Sequence, residues 1–450
     1  MIFVFQYPNG WFMHYCLHGT FLRHIYNIVL GILLQLYLYG LTGIFHVILM
    51  TVVAYAMMLF MPRQSQAFYV MLWVLFYLSC LHFDQMINRF GSYDMDITSY
   101  SMLQVCKLSA LAYCYKDGGT DAAKLSQDQK DRMVVKLPSV LELSSYIWYA
   151  QACALGVFFE FSDYKRWVER TGEYENVPSP IIPSLKWFGK GILMLAAYTV
   201  LQPTFNIEIC FDLDTYLKFT YAYRLFYYFV SMTVKRFFYY NPFCMTTGAI
   251  IGSGLGYNGK NKETGEDQWN KIIGVYIWEL ETSTSPIEML RFWNHQVHLW
   301  LKFYIMARIS KPGKRPGMFE SMSTFIVSAF WHGFYPFYYV MFFFAAILVE
   351  CAKDMFKARA LFRAIPPILR TIIANFLSLF CLNYFGILQN ALTFQRGGAF
   401  MQGTWAIVPV GLCIFLGASR SLGLVKMAQK LEAKSGAAKP DSKDVPTAKT

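Results

Sequence analysis

Charge is what this 450-residue chain has least of. Only 15% of its residues are Asp, Glu, Lys or Arg, where a soluble domain carries about a quarter. The deficit is concentrated. Residues 25–61, 67–83, 321–349, 371–395 and 397–419 contain none of the four. A water-facing surface cannot be built from such stretches, so an ordinary soluble enzyme is excluded. Paired cysteine signatures are missing too. The ten cysteines form no CxxC pair, which leaves neither a disulfide framework nor a zinc knuckle and makes buried free thiols the simpler reading. No G-x-S-x-G elbow occurs, removing the usual serine hydrolase. The glycine-rich run 252-GSGLGYNG-259 is followed by no P-loop lysine and sits in no strand–helix unit. It reads as a close-packed turn near the membrane surface.

What is present is apolar: 56% of residues are hydrophobic and 18% aromatic, with a mean hydropathy of +0.33. A bilayer core takes about 20 apolar residues as helix, and backbone in lipid must bond within its own segment. The sequence therefore predicts an all-α polytopic membrane protein. Spans fall near residues 22–40, 43–61, 66–83, 143–161, 186–202, 215–238, 323–350, 369–391 and 403–423. Semi-polar segments at 98–114 and 270–310 bring the count to about nine to eleven. Hydrophilic breaks fall at 115–139, 162–184 and 258–269. No signal-peptide pattern opens the chain. Its first apolar stretch reads as the edge of the membrane domain, with room for a further span upstream. No internal repeat is visible, which argues against transporters built from symmetric halves.

The net charge of +12 does not indicate nucleic acid, because the basic residues lie in short loops between spans. Lys302, Arg308, Lys311, Lys314 and Arg315 form one such loop, and Lys426, Lys430, Lys434, Lys439, Lys443 and Lys449 the tail. Both are expected on the cytosolic side. The organisation expected is a multi-span domain over 1–425 and a basic, disordered tail over 426–450.

Two stretches can carry chemistry. In 321-SMSTFIVSAFWHGFYPFYYVMFFFAAILV-349 the one ionisable group of consequence is His332. An ionisable residue at membrane depth is costly and calls for a role; burial favours its neutral form, which accepts a proton. The competing reading is a histidine satisfied by a neighbouring carbonyl. In 291-RFWNHQVHLWLKFYIMARI-309, Asn294 and His298 are four apart and would share one helical face. Asn294 is either glue between helices or a group that holds a reacting carbonyl or orients a base. His295, His298 and His332 make a poor metal set without a neighbouring carboxylate, so no metal is expected.

At these residues the chain resembles the membrane-bound O-acyltransferase family, and within it the lysophospholipid acyltransferases. The marks are W-N-x-x-V-x-x-W-L over Trp293–Leu301 and S-A-F-W-H-G over Ser328–Gly333, with 38 residues from Asn294 to His332. Three further blocks agree: 94-DMDITSYSMLQVCKLSALAYCYKDG-118, 156-GVFFEFSDYKRWV-168, and 252-GSGLGYNG-259 followed by 278-WELETS-283. The likeness covers roughly residues 20–425. One departure is Val157 after Gly156, where the family often has Gly-Pro.

The resemblance implies that Asn294 and His332 are the catalytic pair. It implies acyl-CoA as co-substrate, no permanently bound cofactor, a lysophospholipid acceptor, and a multi-pass endoplasmic reticulum protein, with a homodimer compatible. Trp293, Trp331, His298 and Glu279, within or beside the motifs, are assigned to substrate contact. Lys302 and Arg308, with Lys235 and Arg236, are assigned to the CoA phosphates or are ordinary positive-inside residues. Rival readings keep the fold but acylate a protein, a sterol or diacylglycerol, or make the chain a transporter.

Overall fold

The computed structural model describes residues 2–91, 96–154, 156–311 and 316–434. Asp94 and Met95 of the first block, Lys314 and Arg315 of the basic loop, and Lys439, Lys443 and Lys449 of the tail fall outside them. Among the described residues the only strand-like feature is an isolated bridge, Lys260 to Asp267; the chain is helical.

Helix α1 (Ile2–Cys16) leads into α2 (Thr20–Phe60), which bends at Gly40, where φ is 67°. The two expected spans at 22–40 and 43–61 are the halves of this one helix. α3 (Gln66–Asn88) follows, then α4 (Ile97–Asp117), whose first turn is capped by the Asp96 carboxylate accepting from the Thr98 amide at 2.9 Å. A short α5 (Gln127–Arg132) follows.

The expected span at 143–161 does not form. Instead α6 (Val140–Ile147), a 3₁₀ turn (Ala150–Ala152), extended chain, and α7 (Phe161–Glu169) succeed one another. The stretch is apolar because it is buried in protein: Tyr146, Tyr149, Cys153, Val157, Phe158 and Phe159 are all buried. Irregular backbone is tolerated at such depth only if other groups answer its carbonyls, and side chains do so. Lys107 donates to Tyr146 O at 2.8 Å, Gln6 to Ala150 O at 3.1 Å, Tyr39 to Ala154 O at 2.8 Å, and Tyr100 to Ile147 O. A short apolar run cannot by itself distinguish lipid from a protein interior.

α8 (Ile181–Leu201), α9 (Leu213–Tyr216) and α10 (Tyr221–Gly252) come next. α10 carries Pro242 and runs well past the expected end at 238. The segment 270–310 is a series of short pieces: α11 (Ile277–Thr282), α12 (Pro286–Phe292), α13 (His295–Trp300), a π-helical turn (Leu301–Met306) and α14 (Ala307–Ile309). The run 323–350 is two helices, α15 (Met318–His332) and α16 (Pro336–Lys357). Gly333, with φ 119°, ends the first, and Pro336 at the first position starts the second. α17 (Pro367–Ala391) matches expectation, but 403–423 is bent. α18 (Phe394–Gly403) and α19 (Ile407–Ser421) meet at 73°, with Trp405 and Ala406 left-handed between them. α20 (Leu424–Lys434) extends helix into the expected tail. It is held there because Ala428 is buried in a cluster with Ala358 and Ala360, and Glu432 pairs with Arg363 at 3.5 Å.

By length and composition, three described helices can cross a membrane, α2, α3 and α17; α18 and α19 together make a fourth. Two compact units divide the chain. The first comprises residues 1–195, 239–275 and 295–308, and the second 196–238, 276–294 and 309–450. In the first, α2, α3 and α4 pack together, with α6 and α7 against α2. In the second, α16 is central and is flanked by α12, α15, α17, α18, α19 and α20.

Candidate active site

In the second unit, α12 starts at Pro286, whose missing amide costs nothing at a helix start. It ends at Trp293, whose amide reaches Met289 O at 3.0 Å. Asn294 follows with φ 44°. That left-handed conformation is one Asn adopts more readily than most residues, and it breaks α12 from α13. Asn294 is therefore not helical, and the expected shared face with His298 is not formed. His332 is the last residue of α15 and is half-buried. Its ring lies 4.8 Å from Trp331, 5.8 Å from Tyr338 and 5.4 Å from Phe342, centroid to centroid. Trp331 is buried and Trp293 half-buried. α12, which ends just before Asn294, and α15, which ends on His332, both pack against α16. Both candidate catalytic groups thus sit where a helix breaks, at positions where backbone amides and carbonyls are released from the helical ladder.

Glu279 is exposed on α11. Two residues on, Glu281 takes the guanidinium of Arg236 in three bonds of 2.8, 3.0 and 3.1 Å. Arg236 is 2% exposed, so its assignment to the CoA phosphates is overturned: it clamps α11 to α10. The Asn375 amide adds bonds to Glu281 O at 2.9 Å and Ser283 O at 2.8 Å, tying the same loop to α17. Lys235 lies with its ammonium 4.4 Å from the Phe238 ring.

His298, Lys302 and Arg308 belong to the first unit. Trp300 anchors α13 by donating to Ser109 Oγ at 3.0 Å. The π-helical turn that follows, a form found often at functional sites, swings Lys302, Tyr304 and Arg308 to one cavity of about 140 Å³, also lined by Cys114, Asp117 and Arg132. Arg308 is held there by Asp117 in two bonds of 2.7 and 2.6 Å, and the Lys302 ammonium lies 4.7 Å from the Phe303 ring. Tyr304 donates to Glu160 at 2.6 Å and lies 3.2 Å from Cys114 Sγ. Arg132 approaches Glu160 at 3.4 Å with its guanidinium 3.7 Å from the Phe303 ring centroid. Burial pushes the Glu160 carboxyl up to about 7, against the pull of Arg132 and the Tyr304 bond. Glu160 and Arg132 escaped the sequence reading. The one available signal was a lone carboxylate after seventeen uncharged residues, 143–159, inside a stretch taken for a span.

An all-helical chain with apolar spanning helices and polar side chains set at helix breaks is the kind of protein that does chemistry at a membrane. The sequence pattern of MBOAT, the membrane-bound O-acyltransferase family, matches residues 83–395, and the chain belongs to that family of membrane-integral O-acyltransferases. Among curated relatives, Lysophospholipid acyltransferase 2 of Arabidopsis thaliana is 29% identical over 374 residues, 80% of each chain. Membrane-bound glycerophospholipid O-acyltransferase 2 of Homo sapiens is 28% identical over 365 residues, 76% of this chain and 68% of its own. The Lysophospholipid acyltransferase of Saccharomyces cerevisiae is 29% identical over 290 residues, 60% of this chain but only 47% of the yeast protein.

Proposed function

We propose that the chain transfers a fatty acyl group from acyl-CoA to the free hydroxyl of a lysophospholipid, in the endoplasmic reticulum membrane. The observation that carries this reading is His332, the one histidine of the uncharged run 321–349, standing at the break between α15 and α16. The shared names of relatives that align over most of this chain supply the acceptor.

His332 takes the hydroxyl proton as the oxygen attacks the thioester carbonyl carbon. The C–O bond forms, the C–S bond breaks, and the thiolate leaves as CoA with the proton returned from the imidazolium. Attack is direct, so no acyl-enzyme is needed. A positioned base is worth about 10²–10⁴ in rate. Asn294 donates its amide N–H to the carbonyl oxygen as charge gathers on it. Trp293 and Trp331 wall the reacting centre, and His298 and Glu279 contact substrate. Lys302 and Arg308 meet the CoA phosphates at the cavity they line. Both substrates are drawn in by their tails at about 0.8 kcal/mol per buried CH₂. The exposed apolar side chains of α8, among them Ile182, Leu193 and Val200, support a further span beyond the three or four, in the direction of the expected about nine to eleven.

Purified protein given acyl-CoA with a panel of lysophospholipids, and in parallel with a sterol, diacylglycerol and a peptide, tests the reading. The expected result is a phospholipid product that His332→Ala abolishes. Acylation of the peptide alone, or product from His332→Ala at the wild-type rate, refutes it.

A further inference from the structure

The first unit holds a second cavity, of about 290 Å³, that the acyl-transfer reading leaves unused. Its floor is the glycine run of the sequence. Gly254 has φ 90°, and a Cβ there would come within 3.1 Å of His14 Nδ1; the preceding carbonyl, of Ser253, accepts from the Trp167 indole at 3.0 Å. The walls are the end of α1, the start of α2 and the end of α7, which brings together two of the blocks that mark the family resemblance.

Two arginines line this space, and among the described residues neither has a carboxylate partner. Arg23 is 3% exposed and bonds only carbonyls, Leu17 O at 3.1 Å and Trp167 O at 3.2 Å. Arg170, left-handed at φ 54°, donates to His14 O at 3.0 Å. His14 beside them is pushed down to about 4 by burial and then by Arg170 and Arg23, so it is neutral at pH 7 and adds no third cation. Glu175 at the rim is exposed and forms an ion pair with neither arginine. A buried guanidinium without a counter-charge is costly, and Arg23, with the exposed Arg170 beside it, gives this cavity a positive lining that an anion would complement. α2 adds to it: its N-cap is Gly19, with no side-chain cap on the first turn, so the positive end of the segment before the Gly40 kink opens here. Planar guanidinium forks match phosphate oxygens.

The surroundings indicate the source of that phosphate. Phe12, Phe21, Leu22 and Ile25 are exposed apolar residues on the same two helix ends, and α2 is one of the three spanning helices. Such a rim suits acyl chains. We propose that this cavity binds the phosphate of an anionic phospholipid of the surrounding membrane, held by Arg23 and Arg170.

The test uses the full chain in phosphatidylcholine nanodiscs with and without phosphatidic acid, reading thermal unfolding by intrinsic fluorescence. The expected result is a midpoint several degrees higher with phosphatidic acid, reduced to near zero by Arg23→Gln and by Arg170→Asn. Arg170 is exposed and Asn suits its left-handed backbone, so the second variant folds even if the buried one does not. Soluble arms carry inorganic phosphate or free coenzyme A in phosphatidylcholine discs. A shift there that depends on both arginines upholds the phosphate site and moves its source to solution. A phosphatidic acid response equal in wild type and Arg170→Asn, or none in any arm, overturns the proposal. The readout is stability, so its failure is separable from failure of the acyl-transfer reading.

Discussion

His24 and His332 both belong to long apolar runs of the sequence: His24 stands directly before the uncharged run 25–61, and His332 within 321–349. In the structure they differ in kind. His24 is 4% exposed in the first helical turns of α2, its Nδ1 2.7 Å from Ser145 Oγ. Ser145 in turn bonds Tyr164, to which Asn27 also donates at 3.4 Å. That is a buried polar chain linking α2, α6 and α7. His332 instead ends a helix, half-buried, with rings of Trp331, Tyr338 and Phe342 about it and a glycine break directly after. A ring 4% exposed within a helix describes scaffolding; a half-buried ring at a helix break describes a position a substrate can reach.

The sharpest way to break this contrast is to remove each ring. His332→Ala is expected to lower the acyl-transfer rate by about 10²–10⁴ with an unfolding midpoint within a few degrees of wild type. If activity survives, the contrast fails. Asn294→Ala should cost about 10²–10³ in kcat, the usual loss of one oxyanion donor. Asn294→Gly should lose as much although glycine is easier at φ 44°, which separates the amide from the turn. His24→Ala reverses the pattern: a destabilisation of about 2–4 kcal/mol from the cavity and the abandoned Ser145 hydroxyl, read by thermal or denaturant unfolding, with kcat per folded molecule preserved.

A smaller effect tests whether polar groups of the first unit are structural. Glu160, raised to about 7 from an unfolded value of about 4.3, binds a proton more readily in the folded state. Its stabilisation is therefore full below about pH 4 and declines as pH rises through 7. The midpoint of wild type should fall across that window, and Glu160→Gln should flatten the slope. The smallest effect expected is for Lys302→Ala, a several-fold rise in KM for acyl-CoA with kcat little changed, the sign of lost uniform binding.

Much of the fold was legible because lipid imposes one rule. The uncharged runs at 25–61, 67–83 and 371–395 became α2, α3 and α17, since nothing but helix satisfies backbone there. The run 143–161 misled because burial in protein selects the same residues as burial in lipid, and the side chains that answer its carbonyls, Lys107, Gln6, Tyr39 and Tyr100, lie far away in sequence. The candidate pair was named from residue type and motif alone. Its backbone was not legible: Asn294 reads as mid-helix by spacing, and only the positive φ shows that α12 stops short of it. Arg236 also read as a free loop cation, because its partner Glu281 lies 45 residues on.

The irregular stretch between α6 and α7 has a consequence for how this protein is made. A run so poor in charge looks, to any machinery that sorts segments by hydrophobicity as they emerge, like another helix to be threaded into the bilayer. Yet its final shape needs donors that reside on α1, α2 and α4. The segment can adopt that shape only after those three helices have gathered around it, which places its settling late in biogenesis and makes the order of assembly part of the fold.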